Sequence, residues 1–311
     1  MPKYFICPMS KNIVDSVIEF NNNNFGLLPT RRQIDWDGGY VNNWTTEGFY
    51  TYVRNSSNII LERDHSGPGQ GKNDDSGYLS YLEDSKYFDI IHIDPWKQHF
   101  DFKEGLVKTI EIIDFIYTKN PKIKYEISTE EAIRKFSPSE IHIFLASLRE
   151  SLTPKEFNNI YYVVIQSGVG LDLVNMKNIG NFDLEKLTKM VSEVNYFGIK
   201  TKEHNGDYLS NEQYIQRFEN GVNSINIGPE IAQIETLTYL EHMTNKQIDE
   251  FYEICYNSKK WERWIKGDFD FTNKKLLIQV CGHYCYQQYD LPKINDIIKN
   301  KLIEKFYSLP I

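Results

Sequence analysis

Apolar and polar positions along the chain fall into a repeating two-part pattern. A short run rich in β-branched, aromatic and aliphatic residues comes first, and a longer stretch with apolar residues at helical spacing follows it. The β-type runs cover residues 3–8, 25–30, 58–64, 88–94, 122–128, 160–168, 197–204 and 224–228. The helical stretches after them read "NIVDSVIEF", "TTEGFYTYV", "GYLSYLED", "LVKTIEIIDFIY", "SPSEIHIFLASLRESL", "DLEKLTKMVSEVN", "NEQYIQRFENG" and "EIAQIETLTYLEHM". Local signals support several of these boundaries. Thr45 or Thr46 can cap the second helix, Ser137, Pro138 and Glu140 suit a helix start, and Gly221 suits a helix stop. Strand–helix alternation of this kind predicts an α/β fold with a parallel sheet, and eight such units close most naturally as a (β/α)8 TIM barrel over residues 1–243. From about Thr244 the alternation ends. "WERWIKG" and "KINDIIKNKLIEKF" read as helical, aromatic and basic sequence, so residues 244–311 are expected to form a helical extension packed on the barrel.

Composition narrows the function classes. The chain of 311 residues is 41% hydrophobic, 25% charged and 14% aromatic, as expected of a packed globular protein. Its formal net charge of -8 disfavours non-specific binding to nucleic acid, while leaving room for a local basic site. No apolar stretch reaches the length of a membrane span, and "MPKYFICPMS" lacks the regions of a signal peptide, so a cytoplasmic location is expected. Among four cysteines, Cys7 and Cys255 stand alone in sequence. Cys281 and Cys285 flank His283 in "CGHYC", an incomplete zinc set for which buried reduced thiols are the plainer reading.

Barrels carry their chemistry at the C-terminal ends of the strands, so the residues ending each run are the ones to inspect. The third run ends in Asp64 and His65, followed by the glycine-rich "GPGQG". The fourth carries His92 and Asp94, the fifth Glu126, the sixth Gln166 and Ser167, and the seventh Lys200, Lys202, Glu203 and His204. Arg31, Arg32 and Gln33 follow the second run, and Asn226 and Gly228 end the eighth. Each has a scaffolding explanation, but histidines and carboxylates brought to one rim by different strands can form an open zinc site. Adjacent Asp64 and His65 can divide the work of proton transfer and metal ligation. Arg31 and Arg32 have the donor geometry for phosphate, or else are solvated ion-pairing groups. Gly228 and the glycines after Ser167 can offer backbone donors. Along the seventh strand, Lys200, Lys202 and His204 share one face, with Thr201 and Glu203 on the other. An inward lysine there is either a charge partner or a Schiff-base nucleophile.

In order along the chain, "DGGYVNNWTTEGF", "RDHSGPG", "IHIDPW", "YEIS", "QSGVG", "KEHNGDY" and "NIGPEIA" resemble the class II tagatose-bisphosphate aldolase accessory (Z-type) subunit family. The resemblance runs through most of the chain. It implies a metal-dependent aldolase-like barrel with Asp64 as acid/base, His65 and His204 as first metal ligands, and Glu126 or His92 as a third. Lys202 and Glu203 join Asp64 as catalytic candidates. The candidates for substrate or phosphate binding are Arg31, Arg32, Gln33, Asp94, Gln166, Ser167, Lys200 and Gly228. The cofactor expected is a divalent metal, zinc first. The substrate expected is a phosphorylated ketose or its triose fragments; Arg31, Arg32, Pro95, Trp96 and Lys202 depart from the family where they border the expected pocket and leave the exact sugar open. The activity expected is carbon–carbon lyase chemistry through a metal-stabilised enediolate. An epimerase or isomerase using the same site is one alternative, and a non-catalytic subunit that stabilises a smaller aldolase chain is another. A homo- or hetero-oligomer is expected.

Overall fold

The computed structural model describes residues 2–73, 75–265, 267 and 269–311. Eight parallel strands are present: β1 (Tyr4–Ile6), β2 (Phe25–Leu27), β3 (Glu62–Ser66), β4 (Ile90–Ile93), β5 (Lys124–Ile127), β6 (Ile160–Ile165), β7 (Lys200–Glu203) and β8 (Ser224–Ile227). They pair in the order β2-β1-β8-β7-β6-β5-β4-β3. Two isolated parallel bridges, Leu27 to Leu61 and Thr30 to Asp64, join the outer edges and close the ring along a looser seam. The expected (β/α)8 barrel is therefore present. A helix follows each strand: α1 (Lys11–Phe20), α2 (Thr46–Arg54), α3 (Tyr78–Tyr87), α4 (Phe102–Lys119), α5 (Pro138–Ser151), α6 (Leu184–Tyr196), α7 (Asn211–Glu219) and α8 (Pro229–His242).

The helix boundaries follow local chemistry. Thr45 caps α2 by accepting from the Gly48 amide. Ser137 and Glu140 form a reciprocal capping box at the start of α5, with Pro138 in its first turn. Gly221, after α7, takes a positive φ of 98°. One strand differs from expectation: residues 58–61 lie ahead of β3. The Leu61 amide is taken by the Asp89 carboxylate at 2.8 Å, and the Ile59 carbonyl by the Arg54 guanidinium at 2.5 Å, so side chains satisfy groups that a ladder would otherwise use.

The extension carries α9 (Asn245–Asn257), a 3-10 turn (Lys260–Arg263), α10 (Lys274–Cys281) and α11 (Asn295–Ser308). Most of its buried apolar side chains belong to the same hydrophobic cluster as the barrel's. Phe306 packs 5.4 Å from the Phe25 ring, and the Tyr4 hydroxyl donates to the Pro310 carbonyl at 2.8 Å, which ties α11 to β1 and β2. At the other end, Ile265 and Val280 form a small cluster with Leu173, from the loop after β6. That contact carries the extension over the barrel mouth. Cys255, separate in sequence, is brought into thiol contact with Cys281 and Cys285 by the packing of α9 on α10. Among the described residues no cysteine joins a metal-competent group. No helix of the described residues is long and apolar enough to cross a membrane.

Candidate functional site

Alternation along β3 sends Glu62 and Asp64 inward and Arg63 outward. The Arg63 guanidinium grips both oxygens of buried Asp84, at 2.8 and 2.9 Å, and donates to the Ile34 carbonyl at 2.6 Å. The register with β4 then slips between Arg63 and Ser66, and His65 adopts a positive φ of 42°. A non-glycine residue in the left-handed region costs of order 1–3 kcal/mol and needs outside support. The His65 amide donates to His92 Nδ1 at 3.3 Å, and its own Nδ1 meets the Asp94 carboxylate at 2.7 Å. The slip breaks the alternation, so Asp64 and His65 both turn toward the barrel axis although they are neighbours in sequence. Gly67 is required by a close approach: a Cβ there would lie 2.4 Å from the Asp94 carbonyl oxygen.

Three imidazoles, from His65, His92 and His204, form a triangle with ring centroids 5.1–5.3 Å apart. One nitrogen of each is pinned by an outer partner. His65 Nδ1 is held by Asp94, His92 Nε2 by the Ser128 carbonyl at 3.0 Å, and His204 Nε2 by Glu126 at 2.6 Å. The second nitrogens surround Asp64 Oδ1, at 3.8 Å from His65 Nε2, 3.6 Å from His92 Nδ1 and 4.0 Å from His204 Nδ1. His92 Nδ1 also accepts from the His65 amide and lies 3.5 Å from Glu126 Oε1. Asp64 Oδ1 is buried and has no hydrogen-bond partner. Ligands about 2.1 Å from a tetrahedral ion sit roughly 3.4 Å from one another, close to the spacing of these atoms. Histidines whose second nitrogen is fixed by a carboxylate or carbonyl are also the usual outer arrangement of metal sites. Asp64, His92 and His204, and likewise His65 with Glu130 and His204, could thus hold a metal ion.

The electrostatics agree with a centre made for positive charge. Burial opposes the charged form of His65, but Asp64, Asp94 and Glu130 outweigh it and push the imidazole up to about 10. Burial alone would raise the Asp64 carboxyl; His65, His92 and His204 together hold it well below the usual carboxylate range. His92 is likewise raised against its burial, by Glu126, Asp64 and Asp94. Below this centre the barrel interior is charged where branched aliphatic residues are usual. Buried Lys202 bridges Glu62 at 2.6 Å and Glu126 at 2.8 Å, with its ammonium 3.9 Å from the centre of the Phe5 ring.

The structure brings together Asp64, His65, His92, Asp94, Glu126, Lys202 and His204, and it sets several other sequence candidates apart. Glu126 orients His204 and pairs with Lys202, and its Oε1 also lies 3.5 Å from His92 Nδ1. Glu203 faces outward, to Arg217 at 2.5 Å and to Ser167, so it lies away from the centre, as its place in the alternation requires. Lys200 sits at the opposite end of β7, exposed and bonded to the Tyr161 hydroxyl at 2.8 Å. Arg31 is not free for phosphate; its guanidinium is buried against Asp35 at 2.9 Å, Asp75 at 2.7 Å and the Gly67 carbonyl at 2.9 Å. Gln33 accepts from the Thr30 amide, and Gln166 holds the Thr129 and Arg134 carbonyls and the Phe136 amide. The Gly228 amide is taken by Asp207 at 2.9 Å, and the Ser167 amide by Glu203 at 3.2 Å. Arg32 remains exposed at the mouth.

Sequence reasoning passed over Glu62, Glu130 and Asn205. Glu62 lies two positions before Asp64, so alternation alone places it inward. Glu130 Oε1 is 4.0 Å from His65 Nε2, and its other oxygen accepts from Asn205. Asn226, inward on β8 beside Phe5, is buried with both amide atoms unpartnered, an arrangement that calls for a polar ligand.

No family model and no curated protein matches this chain. Solved structures do match in shape. A probable tagatose 6 phosphate kinase from Sinorhizobium meliloti superposes with a TM-score of 0.72 at 16% identity, covering 100% of this chain and 89% of that one. A fructuronate-tagaturonate epimerase from Cohnella laeviribosi gives 0.61 at 10% identity, covering 98% and 78%. A fructose-bisphosphate aldolase from Campylobacter jejuni gives 0.57 at 11% identity, covering 98% and 87%. At these identities the likeness shows the barrel fold. The resemblance to Z-type subunits rests on the quoted motifs.

Proposed function

We propose that this protein is a divalent-metal-dependent lyase that cleaves a carbon–carbon bond in a phosphorylated ketose. The observation that carries the reading is the unpartnered Asp64 oxygen facing three imidazole nitrogens whose opposite edges are already held. His65, His92 and His204 would hold the ion, zinc being best suited to this nitrogen-rich set. A divalent ion there would polarise a ketose carbonyl and offset the negative charge that develops as the adjacent bond breaks. Asp64 is the proton carrier: its carboxylate is ionised, buried and free to take the proton of the substrate hydroxyl. Asn226 offers a donor and an acceptor to the substrate's oxygens from β8, next to the strand that leads to His204. Asp94 and Glu126 keep the His65 and His204 rings in position. The fold shared with sugar aldolases and a sugar-acid epimerase supports chemistry of this class.

A second reading, epimerisation, is favoured by Glu130. It lies 4.0 Å from the same His65 nitrogen that Asp64 approaches at 3.8 Å, so two carboxylates are available to remove and return a proton. The test is to incubate the zinc-loaded chain, and the chelator-treated chain, with a panel of phosphorylated ketoses, reading triose phosphate enzymatically and epimers by NMR. Zinc-dependent triose phosphate release, reduced about 100-fold or more in Asp64→Asn with metal retained, is the expected result. Epimer formation without cleavage would select the second reading. Absence of both in the metal-loaded chain would contradict the proposal.

A further inference from the structure

The extension brings a second group of charges to the mouth. Arg32 and Lys72, from the loops after β2 and β3, face Lys259, Lys260 and Arg263 of the extension across a cleft of about 600 Å³. Among the described residues, Asp37 is the one carboxylate lining it. In a chain of net charge -8, five cations around one acid is a marked local reversal. None of the five has a carboxylate partner among the described residues, whereas Lys299, Lys301 and Lys305 on the same extension are all ion-paired. Like charges held together repel, and the Arg32 guanidinium is pushed below its ordinary range by burial and by Arg263.

Two of these cations are held against aromatic rings. Lys259 lies over the Tyr256 and Trp261 rings at 5.0 and 5.6 Å, and Arg263 over Trp264 at 4.9 Å. Trp264 in turn donates to the Tyr284 hydroxyl at 3.2 Å, and Tyr284 lines the same cleft. Arg263 also forms part of a neighbouring cleft lined by Glu130 and Asn205, the rim of the imidazole centre. The two clefts therefore adjoin at Arg263, and the second reaches Glu130, 4.0 Å from His65 Nε2.

We propose that this cationic cleft, closed by the C-terminal extension, binds the phosphate group of the substrate that lies remote from the reacting carbonyl. Arginine forks and lysine point charges are the donors suited to a phosphate monoester. The cleft volume lies in the range of small-molecule sites. The assignment rests on the reading of the centre as a sugar-phosphate site, and it moves phosphate recognition from Arg31 and the glycine loops to residues of the extension.

The experiment is calorimetric titration of the full metal-loaded chain with inorganic phosphate at low ionic strength, followed by steady-state kinetics on the phosphorylated ketose panel. The paired variant Lys260→Met with Arg263→Met is compared with wild type and with Lys246→Met, an exposed lysine elsewhere on the extension. Phosphate affinity should fall about tenfold or more in the paired variant, with unchanged metal content, and stay within twofold in Lys246→Met. Absence of phosphate binding, or equal affinity in all three proteins, would overturn the inference. Loss of phosphate binding in the paired variant, with no ketose turned over by wild type, would leave the cleft assignment standing and refute the lyase reading. Turnover with the same KM in wild type and the paired variant would do the reverse.

Discussion

Lys202 offers the sharpest test of how the barrel interior is held. Its ammonium lies between Glu62 at 2.6 Å and Glu126 at 2.8 Å, and all three side chains are fully buried. The two acids diverge: burial and Glu126 drive the Glu62 carboxyl well above the usual range, whereas Lys202, His92 and His204 overcome the burial of Glu126 and hold it well below. These directions favour the proton on Glu62 and the charge on Glu126, with Lys202 between them. Lys202→Met keeps most of the side-chain volume and strands the Glu126 charge. Breaking a buried pair from one side costs about 3–5 kcal/mol. For 311 residues the unfolding entropy is about 0.65 kcal/mol per degree, so Tm should fall by about 5–8 °C. Differential scanning calorimetry at pH 7 reads this directly. Adding Glu126→Gln removes the stranded charge and should restore more than half of the loss. A fall under about 1 °C in Lys202→Met, or no recovery in the double variant, would refute the ion-pair account.

Two other perturbations follow from the same reasoning. Glu235 of α8 is fully buried, accepts from Ser10 and Asn12, and is raised by burial from 4.5 to about 7. The unfolded chain releases this proton near pH 4.5 and the folded chain near pH 7, so its contribution to stability is complete below about pH 4.5 and is lost as pH rises to about 7. Glu235→Gln should flatten that decline and, at pH 8, stabilise by up to about 3 kcal/mol, read by urea unfolding across pH; a wild-type decline retained in the variant would exclude Glu235 as its source. In Gly67→Ala, the Cβ placed 2.4 Å from the Asp94 carbonyl should cost about 1–3 kcal/mol, lower Tm by about 2–5 °C and weaken metal retention by displacing Asp94 from His65; unchanged Tm and metal content would show that the loop yields freely.

The barrel was legible because each strand lies within a β-type run followed by its own helix, even where the strand itself is polar, as in β3 and β7, and because caps such as Ser137 with Glu140 act over a few residues. The Asp64–His65 pair was legible from its place at the end of a run. That both residues face the axis was not, since it depends on a register slip against β4 and a left-handed backbone at His65. Several phosphate candidates have their donors engaged within the fold, for a common reason. Arg31, Gln166, Ser167 and Gly228 all carry suitable donors, but Asp75, the Thr129 and Arg134 carbonyls, Glu203 and Asp207 already occupy them, and such partners are chosen by the tertiary fold. The cationic cleft was hidden in the same way: Arg32 and Arg263 lie far apart in sequence and meet where the extension packs over the mouth, as Tyr284 does on Tyr40 at 5.1 Å.

The central claim is that three imidazoles hold one divalent ion. Elemental analysis of the zinc-reconstituted, desalted chain tests it most directly, with wild type compared against His92→Ala, His204→Ala and Asp64→Asn, each checked for native folding by circular dichroism. About one ion per chain in wild type and Asp64→Asn, and loss of the ion in both histidine variants, is the predicted result. Wild type without stoichiometric metal, or folded histidine variants that keep it, would contradict the account.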